Sequence, residues 1–164
     1  MARKMLKANR RGAGRLPTRL VLGAAMLYHG ATKLTADGRA QTRQMFEGLG
    51  IRPGRLWAVA TGVAETLSGL AAILGIATRP AALAVVVTQA VAIRKVHASH
   101  GYSNVSGGME YNLALVAIAL GMLIAGPGPL STYSVIERRV TRRTRRPFQR
   151  RQRAPLARAL HLAL

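Results

Sequence analysis

The stretch 111–136, YNLALVAIALGMLIAGPGPLSTYSVI, contains no charged side chain in 26 consecutive positions. A helix needs roughly 20 apolar residues to cross the hydrocarbon core of a bilayer. The first part of this stretch is rich in Leu, Ala, Ile and Val, and a Gly-Pro-Gly-Pro sequence then interrupts it. The pattern predicts one membrane-spanning helix that ends at this turn.

Three further apolar segments precede this one. Residues 56–78 carry a single charged side chain and are long enough to form a span. The segments 20–32 and 80–93 are shorter, and each lies between basic residues. As spans they require Arg19 and Arg79 to snorkel, with the aliphatic stem in lipid and the guanidinium at the interface.

The sequence therefore predicts an all-α fold, a four-helix transmembrane bundle with basic cytoplasmic N- and C-terminal tails. Between the first two spans, Met45, Phe46 and Leu49 fall at helical spacing, which favours a short amphipathic helix on the membrane surface. The predicted units are a basic N-terminal segment 1–15, a membrane domain 16–131 with helices at about 16–34, 56–76, 80–97 and 109–126, and a basic C-terminal tail 132–164.

Charge predicts the orientation. Lys and Arg number 25 against five Asp and Glu, which gives a formal net charge of +20. Seven basic residues lie in 1–19 and ten in 138–158. The positive-inside rule therefore predicts that both termini are cytoplasmic, with the Arg-rich tails against anionic lipid. Nucleic-acid binding is disfavoured, because no recognisable module or set of interleaved aromatic residues accompanies the charge.

The chain contains no cysteine, which excludes disulfides, thiol redox chemistry and iron–sulfur clusters held by thiolates. His97 and His100 are three residues apart, and His29 and Glu110 would have to complete a metal site with them. No tighter group of ligands is present in the sequence. We therefore expect no metal site, and a haem held by two histidines is equally disfavoured.

The ionisable and amide side chains of the predicted spans gather in their outer halves. Glu65 is costly to ionise in hydrocarbon, so we expect it to face the bundle interior and to pair with Lys33 or Arg94. Two interpretations stay open: a structural salt bridge, or a carboxylate that binds a ligand or a proton. Gly62 and Gly69 flank Glu65 on one helix face and would let another helix approach closely. The predicted polar pocket comprises His29, Lys33, Glu65, Gln89, Arg94, His97 and Glu110.

Several motifs follow one another along the chain. They are His29-Gly30-Ala31-Thr32-Lys33-Leu34; Ala64-Glu65 with Ser68-Gly69-Leu70; Leu74-Gly75-Ile76-Ala77-Thr78-Arg79; His97, Gly101-Tyr102, Gly108 and Glu110; and Gly126-Pro127-Gly128 with Ser131. In this order they resemble the motifs of the DoxX family of small bacterial membrane proteins. The resemblance covers about residues 19–131, although Tyr133 stands where the family often has an acidic residue.

The resemblance implies a four-helix bundle in the bacterial inner membrane. Some members are similar to subunits of quinone-linked sulfur oxidation, and others to membrane partners of soluble redox enzymes. We therefore expect a membrane subunit or scaffold of an oxidoreductase or quinone-linked system, not catalytic on its own, with a redox-enzyme partner or a second copy of itself. The alternatives are a quinone- or small-molecule-binding redox component and a small-solute permease. No cofactor is evident from the sequence, and a quinone is the ligand class that stays open.

Overall fold

A computed structural model of the protein describes residues 14–139, and most of the predicted basic segments 1–15 and 132–164 lies outside the described residues. Within the range all regular structure is helical, so the all-α prediction is confirmed. Helical residues also follow at 132–139. The principal helices are α1 (Arg15–Leu34), α2 (Ala36–Gly48), α3 (Gly54–Leu74), α4 (Thr78–Ala92, continued by the π-helical Ile93–His97 and the 3-10 turn Ala98–His100) and α5 (Glu110–Ala125).

Two short connections fix the order of these helices. Thr35 caps α2, because its side-chain oxygen accepts a hydrogen bond from the Gly38 amide at 3.1 Å. Gly75 ends α3 in the left-handed conformation with φ of 68°, which costs glycine little. Helix α4 then begins only three residues later, so α3 and α4 form a tight helical hairpin.

Glycines allow α1 and α3 to pack closely and in opposite directions. A Cβ atom on Gly69 would lie 2.7 Å from the Gly23 carbonyl oxygen, and one on Gly30 would lie 2.7 Å from the Gly62 oxygen. The Cβ on Gly30 would also collide with the Thr66 backbone nitrogen. The two backbones are therefore in direct contact at two levels, an arrangement that small residues permit between membrane helices.

The core is small and most of the apolar surface faces outward. The buried hydrophobic side chains include Leu22, Met26, Val85, Leu115 and Met122. By length and composition, α3 and the continuous helix Thr78–His100 could each cross a membrane, and α5 is a shorter apolar helix. Only 33% and 22% of the apolar windows of the two long helices are buried. This exposure contrasts with the core helix of a water-soluble protein, which is largely buried.

Arg19 does not snorkel, so the expectation for this side chain is wrong. Arg19 is 2% exposed and donates four hydrogen bonds to backbone oxygens. Two go to the end of α3, at Ala72 (2.8 Å) and Ile73 (2.7 Å), and two to the loop after α5, at Pro127 and Leu130 (both 2.9 Å). The two α3 carbonyls attract the cation because the C-terminal end of a helix carries partial negative charge.

The Arg19 contacts place three chain segments at one end of the molecule: the start of α1, the end of α3 and the loop after α5. Gly75 leaves room for the guanidinium, since a Cβ there would lie 2.6 Å from Arg19 Nη2. We call this the arginine end. Arg79 also lies near it, on the hairpin, and its side chain is exposed as a snorkelling residue requires.

Candidate functional site

A cavity of about 740 Å³ lies at the end opposite Arg19, and we call it the outer cavity. It is enclosed by side chains from α1, α2, α3, the outer half of α4, the loop after α4 and the start of α5. Five residues of the predicted polar pocket line it: His29, Lys33, Glu65, Gln89 and His97. Arg94 and Glu110 were grouped with them from the sequence and do not line the cavity.

The centre of the polar wall is an ion pair between Glu65 and Lys33. Lys33 Nζ lies 2.5 Å from Glu65 Oε2, and the two side chains are 23% and 7% exposed, respectively. Of the two partners expected for Glu65, the structure therefore selects Lys33 and leaves Arg94 exposed to the outside. Within residues 14–139 no donor bonds the second carboxylate oxygen, Oε1, which keeps an acceptor for a molecule in the cavity.

A second polar pair crosses from α4 to α5. Asn112 Nδ2 donates to Gln89 Oε1 at 2.7 Å, and both side chains are buried. Gln89 Nε2 points to the Met26 sulfur at 3.8 Å, a weak acceptor. Asn112 was not among the predicted pocket residues. Its position nevertheless indicates a specific partner, because it is a lone amide in the first turn of a strongly apolar helix.

His97 and Glu110 hold the loop that covers the cavity from above. His97 Nδ1 lies 2.7 Å from the Gly107 carbonyl oxygen, so this nitrogen carries the proton and donates. In the neutral ring Nε2 is then an acceptor. Glu110 Oε2 accepts a hydrogen bond from the backbone N–H of Asn104 at 3.2 Å, and Asn104 lines the cavity. Glu110 therefore orders a lining residue without lining the cavity itself.

Aromatic and aliphatic side chains form the rest of the wall. The His29 ring lies edge-on to Tyr28 and Tyr111, with centroids 5.6 and 6.0 Å away, and both His29 and Tyr111 line the cavity. Trp57 stands on the α3 side. The predicted amphipathic helix is present as α2, and its apolar side forms part of the roof. The roof residues are Met45, Phe46, Leu49 and Ile51.

The motif of Gly126-Pro127-Gly128 with Ser131 lies at the arginine end, away from the cavity. Gly126 and Gly128 both have positive φ, which the turn after α5 requires. Ser131 is buried, donates to the Gly128 oxygen at 2.8 Å and accepts from the Ser134 amide at 3.2 Å. The Pro127 and Leu130 oxygens of this turn receive Arg19. This motif therefore forms part of the binding site for the Arg19 guanidinium.

Metal binding has no support in the part of the chain that the structure describes. No group of three or more His, Asp or Glu side chains in residues 14–139 could hold a metal ion. His97 and His100 are each engaged with a backbone carbonyl, at 2.7 and 2.9 Å. What the cavity offers is hydrogen bonding, one ion pair and apolar surface.

The largely exposed apolar helices indicate a small helical membrane protein, and the site is a cavity with a buried ion pair near one end of the helices. The family comparison agrees with this class. The model of the DoxX family matches residues 14–98, slightly more than half of the chain, and the chain belongs to the DoxX family. No curated protein and no solved structure matches it.

Proposed function

We propose that the protein crosses the bacterial inner membrane four times, with both termini in the cytoplasm and the outer cavity on the extracytoplasmic side. Helices α1, α3, α4 and α5 would be the spans, and α2 would lie at the surface. Support comes from the exposed apolar faces and from charge. In this arrangement eighteen Lys and Arg lie on the side of the arginine end and seven on the other.

Burial of Arg19 removes an obstacle to one of the two shorter predicted spans. At 1.5 Å per residue, the 20 residues of α1 extend about 30 Å, the thickness of the hydrocarbon core. The Arg19 guanidinium is hydrogen-bonded to carbonyl oxygens within the protein and needs no lipid headgroup as a partner. Helix α5 has 16 residues, and the uncharged chain continues beyond it to Ile136. Both helices can therefore serve as spans.

The cysteine-free chain allows the orientation to be tested by labelling. Val105 is fully exposed in the loop after α4, and Arg79 is exposed on the α3–α4 hairpin. We expect a membrane-impermeant maleimide added to intact spheroplasts to label Val105→Cys at once and Arg79→Cys only after permeabilisation. The opposite pattern would invert the topology, and immediate labelling of both would exclude four spans.

We further propose that the outer cavity binds an amphiphilic molecule of the quinone class, as part of a membrane redox system. The ion pair of Glu65 and Lys33 within an otherwise apolar cavity carries this proposal. The volume of the outer cavity lies in the range of about 300–1,000 Å³ that is typical of small-molecule sites. A quinone presents a flat ring with polar oxygens, and both parts have a counterpart in the wall.

The lining residues fit that chemistry. Trp57, Tyr111 and His29 offer ring faces and edges for an aromatic head. Lys33 can donate to a ring carbonyl oxygen, and Glu65 Oε1 can accept from a hydroxyl of the reduced form. A bound quinone would supply the electron chemistry, while these residues would bind and orient it.

A titration with a soluble benzohydroquinone, the reduced form whose hydroxyl groups can donate to Glu65 Oε1, tests the ligand. Trp57 is the only tryptophan and lines the cavity, so its fluorescence reports binding. We expect saturable quenching in the wild-type protein and about tenfold to hundredfold weaker binding in Glu65→Gln, because a charge-assisted hydrogen bond is lost. Glu47→Gln removes an exposed carboxylate outside the cavity and should bind like the wild type.

Two results would reject this assignment: no saturable quenching in the wild type, or equal affinity in Glu65→Gln. Thermal unfolding followed by circular dichroism checks that Glu65→Gln remains folded. If no ligand binds, the result favours the scaffold interpretation, in which the protein is a non-catalytic subunit beside a redox enzyme. The permease interpretation has less support, because the apolar core of Leu22, Met26 and Leu115 separates the cavity from the arginine end.

A further inference from the structure

We infer that the ligand reaches the outer cavity sideways from the bilayer, through the gap between the outer halves of α3 and α4. The inference deepens the proposed function and rests on it. It specifies the ligand as a membrane-dissolved molecule with a small polar head and an apolar chain that remains between the helices.

The first observation is that several lining residues are also strongly exposed on the outside. Trp57 on α3 is 47% exposed, and Val87 and Val91 on α4 are 54% and 47% exposed. Ala60, one turn after Trp57, is exposed as well and also lines the cavity. These four residues border the cavity on one side and the surroundings on the other. We call them the lips.

The second observation is that the two helices bearing the lips form a hairpin whose turn lies at the opposite end. The hairpin after Gly75 holds α3 and α4 together at the arginine end, where Ala72, Ala82 and Val85 are packed in the core. Farther out, residues of both helices line the cavity. All four lips are apolar. In the proposed topology they face the outer leaflet.

The third observation concerns the end of the cavity formed by α2 and the loop after α4. Phe46 of α2 is buried, and the polar side chains Arg43 and Glu47 pair with each other on the exposed side of this helix at 3.1 Å. The loop after α4 is held by the two hydrogen bonds described above. At this end the lining includes the polar Asn104, whereas the lips are all apolar, which favours entry of a molecule from lipid between the lips.

Polar groups are ordered along this route in the way that an amphiphile requires. The Glu65–Lys33 pair and the Gln89–Asn112 pair lie in the interior. Lys95 is an exposed lining residue one turn beyond Val91 on α4, so a cation stands beside the opening. A polar head can therefore bind inside, while the chain leaves across the lips into the bilayer.

Two measurements in lipid nanodiscs test the lateral opening. In nanodiscs of acyl-brominated phosphatidylcholine, Trp57 fluorescence should be strongly quenched relative to unbrominated lipid, because bromine quenches only on close contact. This measurement needs no ligand. Unquenched Trp57 would show that the lips do not face lipid and would overturn the inference.

The second measurement compares two probes, a benzoquinone with a ten-carbon chain and the same ring without a chain. Ala60→Phe narrows the gap between the lips, and Leu67→Phe places the same side chain on α3 at an exposed position that does not line the cavity. We expect Ala60→Phe to weaken binding of the chain-bearing probe about tenfold and to leave the chainless probe within about twofold. Leu67→Phe should change neither.

Equal loss of both probes in Ala60→Phe, or no loss of either, would contradict lateral access. Failure of the proposed function has a different signature. In that case the wild-type protein binds neither probe, and the bromine measurement alone decides whether the lips face lipid.

Discussion

Replacing Arg19 by Ala should be among the most damaging single substitutions in the protein, with a loss of about 3–5 kcal/mol in the free energy of unfolding. The change removes the buried cation together with its four hydrogen bonds. The carbonyl oxygens of Ala72, Ile73, Pro127 and Leu130 then lack that donor. It also releases the loop after α5 from α1 and α3. Thermal or denaturant unfolding in mild detergent, followed by circular dichroism, measures the loss.

Two further variants separate geometry from charge. Arg19→Lys keeps the charge but cannot present the fork of donors that reaches four oxygens, so we expect an intermediate loss. Arg55→Ala removes an exposed arginine and should change stability by at most about 0.5 kcal/mol. If Arg19→Ala proved as stable as Arg55→Ala, the buried arginine would not hold the helices together.

Gly30→Ala should destabilise the protein by about 3 kcal/mol, at the upper end of what one added methyl group costs in a packed interior. The new Cβ would meet backbone atoms of Gly62 and Thr66, which cannot move aside like a flexible side chain. Helices α1 and α3 would have to separate, and the pair Lys33–Glu65 lies on the same two helices one turn away. Unfolding of the purified protein measures the cost.

Gly121→Ala is the matched control for this substitution. Gly121 is also a helical glycine, but a Cβ there would meet nothing within 4 Å. Ala is the better helix former, so this variant should gain up to about 1 kcal/mol. Opposite signs for the two variants would support glycine-mediated packing of α1 on α3. Equal effects would contradict it.

The sequence allowed the helices and the polar pair to be predicted because their signals are local. The apolar segments gave four main helices near the observed ones, and the spacing of Met45, Phe46 and Leu49 indicated α2. Glu65 was expected to pair with a basic side chain because an unpaired charge is costly in an apolar environment. The choice of Lys33 over Arg94 depends on how α1 and α4 are rotated, which no local pattern specifies.

Arg19 shows why the rest could not be predicted. A basic residue near the start of an apolar helix usually extends toward the interface. Its burial requires oxygens from α3 and from a loop more than 100 residues away in the chain. The cavity shape and the role of Asn112 likewise depend on contacts between distant segments. Such contacts leave little trace in one sequence.

The two ends of the molecule therefore differ in what they do. The arginine end joins three segments through one buried cation. The outer end keeps a polar pair beside open volume and covers it with α2 and a hydrogen-bonded loop. A hydrogen-bonded end and an end that contains a cavity are consistent with the proposed quinone site.

An experimental structure in lipid nanodiscs, determined with and without a chain-bearing benzoquinone, tests the central claim most directly. We expect Glu65 to pair with Lys33 in the interior of the helix bundle. We also expect ligand density between Trp57 and Glu65, with the ligand's chain leaving between α3 and α4. Glu65 turned toward the acyl chains, or a cavity filled by side chains in both structures, would contradict it.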